Sequence, residues 1–238
     1  SFTREPVSLP DEKEVRLFLP SFKPAQPVFQ ATQPQARASA IFGGGNYTYF
    51  KLQHHLAALS AEPVFAEAAK DFDQKFGRFY DVVEPYRLDD ADYVFVMSNS
   101  FCTKGKAAVN RLREIGVKAG LLKLRMLRPF PVRAIASALG GHAKVAVIDQ
   151  NISPGKGGIL HSEIVAALYD REDRPQRILS VVGGLGGRDI PEGDFMAIIE
   201  HLDRADYTDT LMLFGPGDLA QFRTLQHIAG KTEAVLTS

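Results

Sequence analysis

The chain has 238 residues, 45% hydrophobic and 24% charged, a make-up that supports one large globular domain with an appendage. Its 28 basic and 28 acidic residues cancel, and no apolar run reaches bilayer length, which excludes broad nucleic-acid binding and membrane insertion. One cysteine, Cys102, excludes an internal disulfide framework and an iron–sulfur cluster held by these residues alone, and fits a cytoplasmic setting.

The opening S-F-T-R-E-P has neither a charged n-region nor an apolar h-region, and without an initiating methionine it reads as the interior of a longer protein. Residues 6–34 hold six prolines among apolar residues and glutamines, so residues 1–46 are expected to form an extended Pro-rich arm laid on another surface. From 47 to 76 the pattern turns helical: Leu52, Leu56 and Leu59, then Phe65, Ala69, Phe72 and Phe76, recur at three- and four-residue steps. Pro63 should interrupt or restart this helix, and residues 47–90 are expected to be a helical linker segment. His54 and His55 point about 100° apart on a helix. They are a poor chelating pair and read as one surface and one packing residue.

Residues 91–205 read as an α/β domain. Y-V-F-V-M at 93–97 is a continuous apolar run suited to a strand buried on both faces, and Ala107, Val109, Leu112 and Ile115 follow at helical spacing until Gly116. Residues 117–124 supply a second strand. Arg128-Pro129-Phe130-Pro131 then opens a helix around Ile135 and Leu139, ended by Gly140-Gly141. K-V-A-V-I-D at 144–149 is a third strand, followed by the Gly-rich 153–158 and a helix over 159–169. Residues 177–182 form a fourth, leading into G-G-L-G-G-R-D and a helix near 195–202. Strands alternating with helices predict a parallel sheet with helices on both faces and right-handed crossovers. Residues 206–238 are left as a tail, helical in part.

The working edge of such a sheet lies at the carboxyl ends of its strands. Those ends here bring Asn99, Ser100, Arg128, Asn151, Gly155, Gly157, Gly184, Gly187, Arg188 and Asp189 to one expected rim, a candidate interface. Arg128, Arg188 and Asp189 are expected to dock a partner through bidentate bonds. No catalytic constellation stands out. Cys102 has no histidine nearby in sequence and reads as a packed thiol; Ser98 and Ser100 lack the G-x-S-x-G elbow; His142 and His161 read as capping or packing residues. Lys156 lacks Walker spacing and reads as a solvated loop residue, and G-G-x-G-G does not match the dinucleotide fingerprint.

Several motifs occur in a telling order: S-F-T-x-E-P-V at the start, F-G-R-x-Y at 76–80, Y-R-L-D-D-A-D at 86–92, G-V-K-x-G-L-L at 116–122, L-R-P-F-P at 127–131, D-x-N-x-S-P-G-x-G-G at 149–158 and G-L-G-G-R-D-I at 184–190. Together they resemble the C-terminal half of the α subunit of 2-oxoacid:ferredoxin oxidoreductases, the pyruvate synthase family, from Ser1 to about Leu202. The resemblance implies a transketolase C-terminal-like domain in a multi-subunit enzyme. Such an enzyme decarboxylates a 2-oxoacid on thiamine diphosphate with Mg, passes electrons through [4Fe-4S] clusters to ferredoxin or a related acceptor, and releases an acyl-CoA. The implied partners are the thiamine-binding and ferredoxin-like Fe-S subunits or domains, and this chain alone is expected to bind no cofactor.

Two departures point to a divergent branch: Phe2 stands where the family usually has His, and Asn99-Ser100 where a Gly-Ser pair usually ends the first strand. The resemblance puts the family's thiamine-handling N-terminal domain ahead of Ser1, so it carries no catalytic residue onto this chain. A second reading is a stand-alone CoA- or nucleotide-binding α/β domain that uses glycine loops and helix N-termini as anion cradles. With one cysteine, the chain purified alone is expected to hold no iron and to turn over no 2-oxoacid. Iron determination and an assay with CoA and an electron acceptor check this; stoichiometric iron would overturn it.

Overall fold

Four runs of buried aliphatic residues build the centre of a sheet. A computed structural model describes residues 6–25, 27–36, 44–204, 210–229 and 236–237. The opening motif with Phe2, residues 37–43 of the arm and parts of the tail lie outside the described residues. Contacts divide the chain into two units, Glu5–Tyr80 and Asp81–Ser238.

In the larger unit the four runs are β2 (Tyr93–Ser98), β3 (Ala119–Leu124), β4 (Lys144–Asp149) and β5 (Arg177–Val182). They pair in parallel in the order β3-β2-β4-β5. Helices α4 (Cys102–Glu114) and α7 (Glu192–Asp203) contact each other, as do α5 (Val132–Leu139) and α6 (Ile159–Leu168). Side chains alternate across a strand. Thus Phe95 and Met97 join Val109 and Leu112 of α4 and Phe195 and Ile198 of α7 in one cluster, while Val94 and Val96, equally buried, face the opposite layer. Helices cover the sheet on both faces, as its uninterrupted apolar strands require. Phe95 and Phe195 meet edge to face, centroids 5.1 Å apart.

Strand β1 (Val83–Tyr86) pairs antiparallel with β3 at one edge of this sheet. This corrects the expectation that residues 47–90 are all a helical segment. A four-residue run with Pro85 inside it carries little strand signal, because proline is confined to sheet edges. Glu84 pairs with both Lys106 and Arg125, and the Tyr86 hydroxyl donates to Asn110 Oδ1 at 2.8 Å, so β1 is tied to α4 as well as to β3. Burial alone would raise the Glu84 carboxyl, but these cations hold it below the ordinary carboxylate value.

Beyond β5 the tail contributes to the sheet as well as a helix. Strand β6 (Thr210–Phe214) lies parallel to β5, β7 (Leu236–Thr237) parallel to β6, and α8 (Pro216–Ala229) connects them, giving seven strands in the order β1-β3-β2-β4-β5-β6-β7. No described helix is long and apolar enough to cross a membrane.

The smaller unit is helical, and its arm is not wholly extended. Helix α1 (Glu12–Phe18) forms because Asp11 accepts the Lys13 amide at 2.8 Å as an N-cap and Arg16 reaches back to Glu12 at 2.6 Å. Its last residue, Phe18, meets Phe72 and Phe76 edge to face at 5.9 and 5.3 Å. Those two rings lie on α3 (Ala61–Phe76), which follows α2 (Gly44–Leu59) after Ser60. Pro63 falls in the first turn of α3, where its missing N–H leaves no carbonyl unpaired, so it restarts the helix as its position suggests. Both His54 and His55 are exposed on α2, which corrects the expectation that one of them packs.

The Phe95–Phe195 contact joins β2 to α7 in a cluster with no solvent access. Phe195→Ala should cost about 3–5 kcal/mol of stability. The measurement is the urea midpoint; an unchanged midpoint would show that α7 does not depend on this ring.

Candidate functional site

Because β2 to β6 run parallel, the turns that leave them lie along one edge. The candidate residues come from four of these turns, and each turn is held by bonds within the chain.

After β2, Asn99 adopts a left-handed φ of 58° and its Oδ1 accepts the Phe101 amide at 3.2 Å, while the Ser100 carbonyl accepts the Thr103 amide. Both residues shape the entry to α4. Following β3, the exposed Arg128 donates two bonds to Glu163 on α6, at 2.7 and 2.6 Å. The turn after β5 runs through Gly184 (φ 74°), a short 3-10 turn and Gly187 (φ 83°) to Arg188 and Asp189. Arg188 pairs with Asp218 in the first turn of α8, its guanidinium lying against Gly215, and Asp189 pairs with Lys104 on α4. Arg128, Arg188 and Asp189 therefore share the edge, yet each reaches toward a different helix.

The turn after β4 is built around one buried carboxylate. Asp149 is the last residue of β4 and nearly inaccessible. Its two oxygens accept the amides of Leu160 at 2.9 Å and His161 at 3.2 Å, two of the free N–H groups in the first turn of α6. Burial pushes its carboxyl above the ordinary aspartate value, against the opposing pull of those two amides. The loop between folds back on itself: Ser153 donates to the Gly157 carbonyl at 2.8 Å and Gly157 to the Ser153 carbonyl at 3.1 Å. Gly157 has φ 102° and a β-carbon there would lie 2.6 Å from Thr210 Oγ1; one on Gly158 would collide with Asp149 Oδ2. The Gly158 amide donates to Ser180 Oγ at 3.2 Å. Gly157 and Gly158 thus serve close packing, whereas Asn151, Gly155 and Lys156 stand exposed at the tip.

Reading by residue type missed the far partners, Glu163, Lys104 and Asp218, which lie 35, 85 and 30 positions away from Arg128, Asp189 and Arg188. It also missed an apolar component of the edge. Leu127, Val132, Ile152 and Leu185 flank the same turns and are 40–44% exposed. Their signal was their place beside strand ends in otherwise polar turns.

Cys102 is buried and its thiol is pushed up to about 11 by burial, which keeps it neutral and unreactive. His142 Nδ1 donates to the Ala91 carbonyl at 3.1 Å and His161 Nε2 to the Ile178 carbonyl at 3.0 Å, both packing roles. Among the described residues no group of three or more His, Cys, Asp or Glu is arranged to hold a metal ion.

Two glycine substitutions separate close packing from chain freedom. Gly158→Ala should destabilise by about 1–3 kcal/mol because Asp149 must move. Gly193→Ala, in the exposed first turn of α7 with open space around it, should stabilise by about 0.5–1 kcal/mol. Thermal denaturation of both variants checks the sign of each change.

A family model described as pyruvate:ferredoxin oxidoreductase core domain II matches residues 91–195. Pyruvate synthase subunit PorA of Methanothermobacter thermautotrophicus is 35% identical over 210 residues, 87% of this chain and 52% of the relative. The Thermotoga maritima pyruvate synthase subunit PorA is 38% identical over 189 residues, 78% of this chain and 47% of the relative. Ketoisovalerate oxidoreductase subunit VorA of Pyrococcus abyssi is 34% identical over 205 residues, 86% and 51% respectively. The chain spans about half the length of the curated relatives it matches. The matched domain is set on the parallel sheet, and through most of its sequence the chain is similar to subunits of 2-oxoacid oxidoreductases.

Proposed function

We propose that this chain is the non-catalytic second half of an α subunit in a thiamine-diphosphate-dependent 2-oxoacid:acceptor oxidoreductase, acting in subunit assembly and in support of the active site. The enzyme would convert a 2-oxoacid and CoA to an acyl-CoA and CO2, its two electrons leaving through Fe-S clusters to ferredoxin or a related acceptor. The observation that carries this reading is the identity to PorA and VorA subunits through most of the chain. Relatives named for pyruvate and for ketoisovalerate match almost equally, so the identities favour neither substrate.

The residues present do not fit the family's cofactors. A buried neutral thiol is not a cluster ligand, and among the described residues no three or more His, Cys, Asp or Glu side chains are arranged to hold a metal ion. Thiamine diphosphate, Mg and the [4Fe-4S] clusters therefore belong, in this proposal, to the thiamine-binding and ferredoxin-like parts of the enzyme. What this chain supplies is a shaped edge. Asp149, Arg128–Glu163 and Arg188–Asp218 fix the turns, and Leu127, Val132, Ile152 and Leu185 give that edge apolar surface to bury against a partner. The arm offers more of the same: Leu9, Phe22 and Phe29 are 82, 88 and 62% exposed.

A stand-alone CoA or nucleotide binder is disfavoured. The α6 amides that would cradle a phosphate are taken by Asp149, and protein atoms fill the space beside Gly157 and Gly158.

The experiment is purification of the tagged chain from its native cells. Chains carrying cluster cysteines and a thiamine site should accompany it, and the preparation should reduce ferredoxin only with both CoA and one member of a 2-oxoacid panel. Failure of every 2-oxoacid, with the complex intact, would sink the proposal. Arg188→Ala tests the rim more finely. Because Arg188 and Asp218 are both well exposed, the variant should lose less than about 1 kcal/mol of stability. A docking role requires weaker retention of the other subunits, measured by co-purification at rising salt.

A further inference from the structure

Strand β3 is buried along its length except at Lys123, near its carboxyl end. Lys123 lies two places beyond Leu121 and beside Met97 of β2, on the face of the sheet that α4 covers. On its other side it is paired with Glu84 of β1, and cross-strand neighbours of this kind have β-carbons about 5 Å apart. Glu84 already holds two cations, Lys106 from α4 and Arg125 from just beyond β3. The field of the Lys123 ammonium reaches both that carboxylate and the Cys102 thiol, yet among the described residues Lys123 makes no ion pair or side-chain hydrogen bond. All four charged side chains are half-buried.

Among the described residues, three cations thus surround one carboxylate. The neighbouring acids do not offset the surplus. Asp81 lines a groove with Val83 and Pro85, on the other face of the sheet, and its Oδ1 accepts the Val82 amide at 2.6 Å; Asp189 is taken by Lys104. Arg87 brings a further cation to the vicinity, lying over the Tyr86 ring at 6.0 Å, with Lys106 over the same ring at 5.2 Å. Like charges drawn partly out of water repel one another unless an anion joins them. A carboxylate from another protein brings one charge. A phosphate group brings about two, and offers three strong acceptor oxygens to three separate donors. We propose that Lys106, Lys123 and Arg125 form a binding site for a phosphate dianion, free or carried at the end of a larger molecule, with Glu84 as the internal anion that gathers the three cations and competes with the ligand for them.

The test is titration of the full chain, at constant ionic strength, with inorganic phosphate, adenosine 5′-monophosphate and adenosine, read by calorimetry and by melting temperature. The two phosphates should bind and raise the melting temperature, and adenosine should do neither. Tighter binding of the monophosphate assigns the site to a larger phosphorylated ligand; equal or weaker binding assigns it to free phosphate. Lys123→Met should weaken binding about tenfold. Lys118→Met, exposed just ahead of β3, should leave it unchanged. Glu84→Gln should tighten it, because the competing carboxylate is gone, whereas a network that serves folding alone would lose stability and gain no affinity. Circular dichroism checks the fold of each variant, and if Glu84→Gln does not fold, the comparison of Lys123→Met with Lys118→Met decides. Phosphate left unbound, as expected of a cluster made for a partner's carboxylate, equal losses in the two lysine variants, or a folded Glu84→Gln that binds no more tightly would each overturn the proposal.

Discussion

A single buried carboxylate governs the shape of the edge at the carboxyl ends of the strands. Asp149 ends β4 and accepts the amides of Leu160 and His161 in the first turn of α6, so the strand and the helix are joined by a side chain as well as by their loop. Everything between them must fit in the space that remains. Gly157 and Gly158 pass directly against Thr210, Asp149 and Ser180, and the exposed tip at Asn151 to Lys156 is pushed outward. The raised carboxyl reflects how thoroughly water is excluded there. A glycine-rich loop at a helix start is a familiar anion cradle; here the protein's own anion already occupies it.

The same logic runs along the rest of the edge. Arg128, Arg188 and Asp189 are residues that, seen in sequence, suggest contacts with something external. In the fold each finds a partner on α6, α8 or α4, so the turns between strand and helix are braced from within. Bracing and recognition are compatible. A partner surface gains more from an edge already held in one shape than from one it must first order, and the aliphatics beside these turns are half exposed.

The central sheet was readable in the sequence because its strands are continuous apolar runs between glycine and proline punctuation. β4 and β5 keep the bounds that K-V-A-V-I-D and R-I-L-S-V-V suggest, and Pro63 falls in the first turn of α3, where the helix restarts. What escaped was short or nonlocal. α1 lies within a proline-rich stretch whose composition outweighs the Asp11 cap and the Glu12–Arg16 pair. T-L-M-L-F at β6 is apolar enough for a strand, yet it follows the last helix of the familiar pattern and so reads as tail. The ion pairs of the edge bridge 30 to 85 positions, and no local spacing encodes a meeting at that distance.

Pro85 gives the sheet a direction of growth. A proline in the middle of a four-residue edge strand has no hydrogen to offer, so the outer side of β1 presents a broken row of donors. An extended segment from a neighbouring molecule finds no continuous ladder there to copy. The chain instead adds its later strands, β6 and β7, on the far side, beyond β5. A terminated border of this kind keeps identical sheets from zipping together edge to edge.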